Sequence, residues 1–247
     1  MSTLKAAYIN ELYKISKKKK IVLATIFSII AVLIGGAVVY SLNRYSGIRI
    51  TGSSEFSLLI LQVLSYTLIP LFTAFVCIDM FGVEFVEQTM KLTLTSPASR
   101  LTVFFAKILA IASFIMANLL FIMFLAVVTS FFINGTSYNL FKILVSYLLE
   151  FFPIFIFALA VVAISNFAKW PTIAFMFSVL LFIVFNGLGI VFPYLKSFLF
   201  TSAFDWYKLF LGSYVNLNKI IRVFAILSGY GIMLFGIGLY LFDKREL

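Results

Sequence analysis

The chain has 247 residues, of which 63% are hydrophobic and only 11% charged, and its mean hydropathy is +1.13. Soluble domains run at about 45–50% apolar and roughly 25% charged residues, so this composition excludes a soluble globular protein. The net charge of +10 is not patterned among base-stacking aromatics, which argues against a nucleic-acid partner. With no histidine and a single cysteine, Cys77, the chain also lacks the usual zinc ligand sets, Ser-His or Cys-His catalysis and any intrachain disulfide.

Residues 4–20 come first. Leu4, Tyr8, Leu12 and Ile15 share one helical face, while Lys5, Asn10, Lys14 and Lys17 lie away from it. This predicts an amphipathic helix in the membrane interface. It is either a positively charged anchor or an elbow that also touches a partner. The run Lys17-Lys18-Lys19-Lys20 then leads into the first long apolar segment. That segment is too long for a signal-peptide core and has no obvious small-residue cleavage site, so it reads as a retained span.

A spanning helix needs about 20 apolar residues. Six segments qualify: 21–42, 58–81, 107–133, 140–165, 170–192 and 220–242. The expected fold is an all-α membrane protein of six transmembrane helices, forming one domain over 1–247. An even number of spans places both termini on one side. Twelve basic residues fall on that side and seven on the other, which favours N-in and C-in. The loop at 43–57 is polar and reads as outside; 193–219, with Leu195, Phe198, Trp206 and Phe210 among Lys196, Asp205 and Lys208, reads as an outer interfacial helical segment.

Polar groups at membrane depth point to function or to helix pairing. Gln62, Tyr66 and Thr73 project within about 40° of one another on an unbroken helix, facing either a path or a neighbouring helix. Asn118 and Asn186 are single amides, read first as packing contacts. Glu150 is the only acid within the fourth span, either paired, protonated or facing water at depth, or set near the outer interface. Asp79 is grouped with Glu84 and Glu87.

The segment from Glu84 to Lys107 is the main polar interruption of the chain. Ser96 before Pro97 favours a turn, and Ser99 can cap a helix starting at Arg100. The run Glu84 or Glu87, Thr89, Lys91, Leu92, Leu94, Pro97, Ser99, Arg100 and Lys107 resembles the loop after the second span in permease subunits of ABC-2 type ABC transporters. Gln88 stands where that family usually has Gly.

The resemblance implies that 84–105 is a cytoplasmic coupling loop, with Glu84, Glu87, Thr89, Lys91, Pro97, Ser99 and Arg100 meeting a separate ATPase subunit, helped by residues 4–20. It implies two ATPase copies and a second permease, the same or homologous. The second and fifth spans would line the path, making Gln62, Tyr66, Thr73 and Asn186 candidate lining residues. The chain has no G-x-x-x-x-G-K-[ST] phosphate loop, so ATP and Mg are expected in the partner, with no cofactor or metal here. Small permeases of this kind are similar to those serving peptide export, lantibiotic immunity and bacitracin resistance in bacterial cytoplasmic membranes. The rival readings are an ion-coupled transporter or channel, an intramembrane enzyme, and a non-transporting immunity or assembly protein.

Overall fold

At membrane depth a chain must satisfy every backbone group internally, which leaves helices and closed barrels. The computed structural model describes residues 3–45, 53–87, 99–134, 139–192, 194, 198–211 and 216–245, and every regular element among them is helical. In chain order these are α1 (Thr3–Lys17), α2 (Lys19–Tyr45), α3 (Ser53–Ser65), α4 (Leu68–Ile78), a π-helical turn (Asp79–Val83), α5 (Glu84–Val86), α6 (Arg100–Asn134), α7 (Leu140–Phe167), α8 (Pro171–Val191), a 3₁₀ turn (Phe200–Asp205), α9 (Lys208–Leu211) and α10 (Leu217–Lys244).

Six helices are long and apolar enough to cross a membrane: α2, the run Leu68–Val86, α6, α7, α8 and α10. The ends follow local chemistry. The Ser99 hydroxyl accepts from the Thr102 N–H at 3.2 Å, so Ser99 caps α6 as its sequence suggests. Asn139 and Asn216 cap α7 and α10 in the same way. Pro171 opens α8, where its missing N–H is not needed. At the other end of α7, Arg245 donates to the carbonyls of Ser165 and Ala168 at 2.8 and 3.0 Å.

The second span departs from the expected continuous helix over 58–81. It breaks between α3 and α4, where Thr67 takes φ −130° and ψ −87°. Pro70 is the cause: it has no N–H for the Tyr66 carbonyl and its ring crowds that group. The helix then widens into the π turn and continues to Val86, beyond the expected end. Gly82 sits in that turn, where a Cβ would stand 2.9 Å from Ser165 Oγ of α7.

Side-chain pairings fix the topology. Both chain ends lie on one face, with the starts of α2 and α6, the π turn and the ends of α7 and α10; Arg100 Nη1 donates to the Asp243 carbonyl at 2.7 Å there. The far face holds α3, the start of α7, the 3₁₀ turn and α9, with Tyr147 OH donating to the Ser57 carbonyl at 2.9 Å. Helices α4 and α7 are the most buried, whereas α2, α8 and α10 turn large apolar side chains outward, among them Phe27, Leu33, Met176, Ile183, Phe224 and Ile232. In lipid these faces need no cover.

Helix α2 packs on α6 through Gly36, where a Cβ would lie 2.5 Å from Thr129 Cγ2. Thr129 cannot turn away freely, because its hydroxyl is bonded to the Leu125 carbonyl at 2.8 Å. We expect Gly36→Ala to destabilise the protein by about 1–3 kcal/mol, as overpacking does. Gly229→Ala, with nothing within 4 Å of its Cβ, should be neutral or gain up to about 1 kcal/mol from helix propensity. Thermal unfolding of the two variants in the same lipid or detergent measures the contrast.

Candidate functional site

The most unusual group on the terminal face is a fully buried lysine. Lys107 projects from the second turn of α6 with its side chain 0% exposed. Its ammonium lies 3.0 Å from Glu11 Oε2 of α1 and 2.6 Å from Glu84 Oε2 of α5. Lys14 closes the set, at 2.8 Å from Glu11 Oε1 and 3.5 Å from Glu84 Oε1. Two carboxylates and two ammoniums balance, which is how such charges are tolerated away from water. The Phe81 ring, 5.8 Å from the Lys107 nitrogen, covers the cluster. Beside it, Asp79 is held between Lys18 and Lys20, each at 2.6 Å.

This arrangement revises three sequence readings. Glu84, which the resemblance sets against an ATPase subunit, is buried and pairs with Lys107 and Lys14 within the chain. Asp79 does not join Glu84 and Glu87 but pairs with the lysine run that opens α2. Helix α1 does not merely float on lipid. It packs along α6, with Ile15 buried and the Tyr8 hydroxyl 2.6 Å from that of Ser113. Glu11 was missed, although it stands three residues from Tyr8 and four from Ile15, on the inward face.

The remaining coupling candidates divide. Glu87 is exposed at the end of α5, with no ion pair among the described residues. Ser99 caps α6, and Arg100 is half-buried against the Asp243 carbonyl. Thr89, Lys91 and Pro97 lie outside the described residues.

The candidate path residues are not gathered into one wall. The break before Pro70 cancels the constant turn that aligned them. Gln62 is exposed, Thr73 is buried, and the Tyr66 hydroxyl donates to Asp205 Oδ2 at 3.2 Å. Asn186 donates to the Phe182 carbonyl of its own helix at 2.8 Å. Among the described residues an open apolar groove of about 730 Å³ lies instead between α7 and α10, lined by Phe151, Phe155, Phe224, Gly231 and Phe235 among others.

Titration of the α1 contacts follows from their surroundings. Burial alone would raise the Glu11 carboxyl, but the Lys107 charge and the bonds from Lys14 bring it below the ordinary 4.5. Burial would lower Lys14, but Glu11 and Glu84 lift it above the ordinary 10.5. Glu11 therefore stabilises docking above pH 4.5, and this is lost as pH falls through its depressed value. Lys14 contributes below pH 10.5 and is lost as pH rises through its raised value. We expect α1 to stay docked across the neutral range and to become protease-sensitive in strong acid. Lys107→Met, which leaves two buried carboxylates sharing the single ammonium of Lys14, should cost about 3–5 kcal/mol, and adding Glu11→Met and Glu84→Met should recover most of it. Limited proteolysis of α1 alongside thermal unfolding separates these outcomes.

Comparison with known families agrees with this architecture. Residues 9–189 match the ABC-2 family transporter protein family, a stretch that runs from α1 through α8 and includes the whole ion network. No curated protein matches the chain. With six candidate spans and a family match over most of its length, the chain belongs to the ABC-2 transporter family and is the membrane-spanning permease of an ABC transporter.

Proposed function

We propose that this permease works as a pair of copies, identical or homologous, with two ATPase subunits docked on the terminal face. ATP and Mg would be held and hydrolysed in those subunits. The terminal face would be cytoplasmic, in a bacterial cytoplasmic membrane, which fits Lys14, Lys17, Lys18, Lys19 and Lys20 clustering there. The observation that carries this reading is the Glu11–Lys107–Glu84 network. It binds the amphipathic helix and the end of the second span to the start of α6. A push on the segment between α5 and α6 would then reach three elements together.

The cargo we infer is an amphipathic or hydrophobic molecule, most plainly a peptide of the antimicrobial or toxic kind, moved out of the cell or its membrane. The phenylalanine-lined groove supports apolar bulk in the ligand. One observation favours the ion-coupled alternative: Glu150 is buried in α7 with neither carboxyl oxygen hydrogen-bonded.

Two measurements test the proposal. Glu87→Lys should weaken capture of the ATPase subunit about tenfold or more through like-charge or unpaired contacts, while leaving α1 docked. Unchanged capture removes Glu87 from the interface. Gly231→Leu, which fills the groove, should lower export of an amphipathic peptide from loaded vesicles while the ATPase copurifies in the same ratio. If that variant exports normally and transport instead follows a sodium or proton gradient, the ion-coupled reading replaces this one.

A further inference from the structure

A second polar cluster lies on the far face, away from the coupling network, and nothing in the transport reading uses it. Its centre is Glu150, 0% exposed in the middle of α7. Neither of its oxygens has a hydrogen-bond partner, and the buried hydroxyls of Ser65 and Tyr207 are also unpartnered. The three belong together: the Ser65 hydroxyl is directed toward the Glu150 carboxyl without reaching hydrogen-bonding distance, and Tyr207, Asp205 and Lys208 lie close enough to act on Glu150 through their charge or dipole. Ser65 ends α3 at the break forced by Pro70. Tyr207 and Asp205 come from the 3₁₀ turn and the residues after it, which Trp206 pins to α7 by donating to the Leu149 carbonyl at 2.9 Å.

Buried groups left unpaired in this number call for a missing partner, an ordered water or an ion. Charge selects among them. Asp205 is balanced by Lys208 at 2.9 Å, and its other oxygen accepts from Tyr66. Lys142 of α7 is exposed and makes no ion pair among the described residues, so Glu150 as a carboxylate is the one negative charge of this cluster without an ion-pair partner among the described residues. One positive charge neutralises the site; a divalent ion would over-charge it. Every ligand on offer is a carboxylate or hydroxyl oxygen, which suits a hard cation. Broken helices place backbone and hydroxyl oxygens at membrane depth only where they are buried in protein or line a cavity, and this break ends at Ser65.

We infer that Glu150, Ser65 and Tyr207 form a binding site for one monovalent metal cation of sodium size, which ties α3, α7 and the 3₁₀ turn together. The site is independent of the ATPase-docking proposal and is tested without ATP. The full chain, purified with any subunit it retains, is placed in lipid nanodiscs at constant ionic strength. Radioactive sodium should bind saturably at one site per chain. Sodium in place of N-methylglucamine should raise the melting temperature by about 5 °C, as a ligand present well above its Kd does. Glu150→Gln should abolish both effects. Tyr207→Phe, which keeps the ring and removes one ligand oxygen, should weaken sodium binding about tenfold.

Absence of saturable sodium binding by the natural chain overturns the inference. Binding unchanged in both variants overturns it as well. A chain that binds no sodium, yet whose Glu150→Gln variant loses export of lysine-containing peptides but not neutral ones, assigns the position to a substrate ammonium instead.

Discussion

The structure depends on one charge that has nowhere to go. Lys107 lies in a helix whose neighbours are Phe104, Ala106 and Ile108, all buried, and it has no route to water. A lone ammonium there would cost several kcal/mol. The fold answers by bringing Glu11 from one side and Glu84 from another, with Lys14 restoring neutrality. Helix α1 and the end of the second span are thus held in place by the same atom. The segment 88–98 leaves α5 three residues after Glu84 and re-enters α6 at Arg100, two turns before Lys107. The elements on either side of it, α5 and α6, share one network with α1.

The second span is the irregular one, and its two irregularities coincide with the two polar clusters. The break between α3 and α4 puts Ser65 and Tyr66 beside Glu150 and Asp205. The π turn puts Asp79 between two lysines and leads directly to Glu84. Departures from helical regularity cost stability, and they persist where surrounding contacts compensate or where function uses them. Here each departure turns a polar side chain inward at a depth where a straight helix of the same sequence would have placed it otherwise.

Much of this was legible in the sequence. Hydropathy located six spans because length and apolar content are summed over many residues and survive small errors at the ends. Ser99 announced its cap because the chemistry is local. Ion pairing was not legible in the same way. Glu11 and Lys107 are 96 residues apart in the chain, and nothing in either segment names the other. Glu84 and Asp79 were grouped by nearness in sequence, but the π turn rotates them onto different partners. The stripe of Gln62, Tyr66 and Thr73 failed for a single reason, the assumption of constant rotation across a helix that Pro70 breaks. Asn186 shows a different limit: its amide is spent on a carbonyl of its own helix, an option that spacing alone cannot exclude.

The two faces of the protein differ in whether their buried charges are matched. On the terminal face buried charges are matched, helix ends are capped by Ser99 and Arg245, and Phe81, Phe85, Phe104 and Phe242 interlock at centroid distances of 5.4–5.9 Å. On the far face the unpartnered atoms include both oxygens of an acid, Glu150, with Ser65, Ser57 and Tyr207, whereas on the terminal face they are the neutral Ser165 Oγ and Asn166 Oδ1. A rearrangement of the terminal face would have to break matched charges, at several kcal/mol each. One of the far face would break few such bonds and could gain some. Energetic cost therefore assigns stiffness to the terminal face and adaptability to the face opposite. A permease driven from one face has use for that asymmetry: the driven side transmits as a rigid body, and the responding side has bonds still to make.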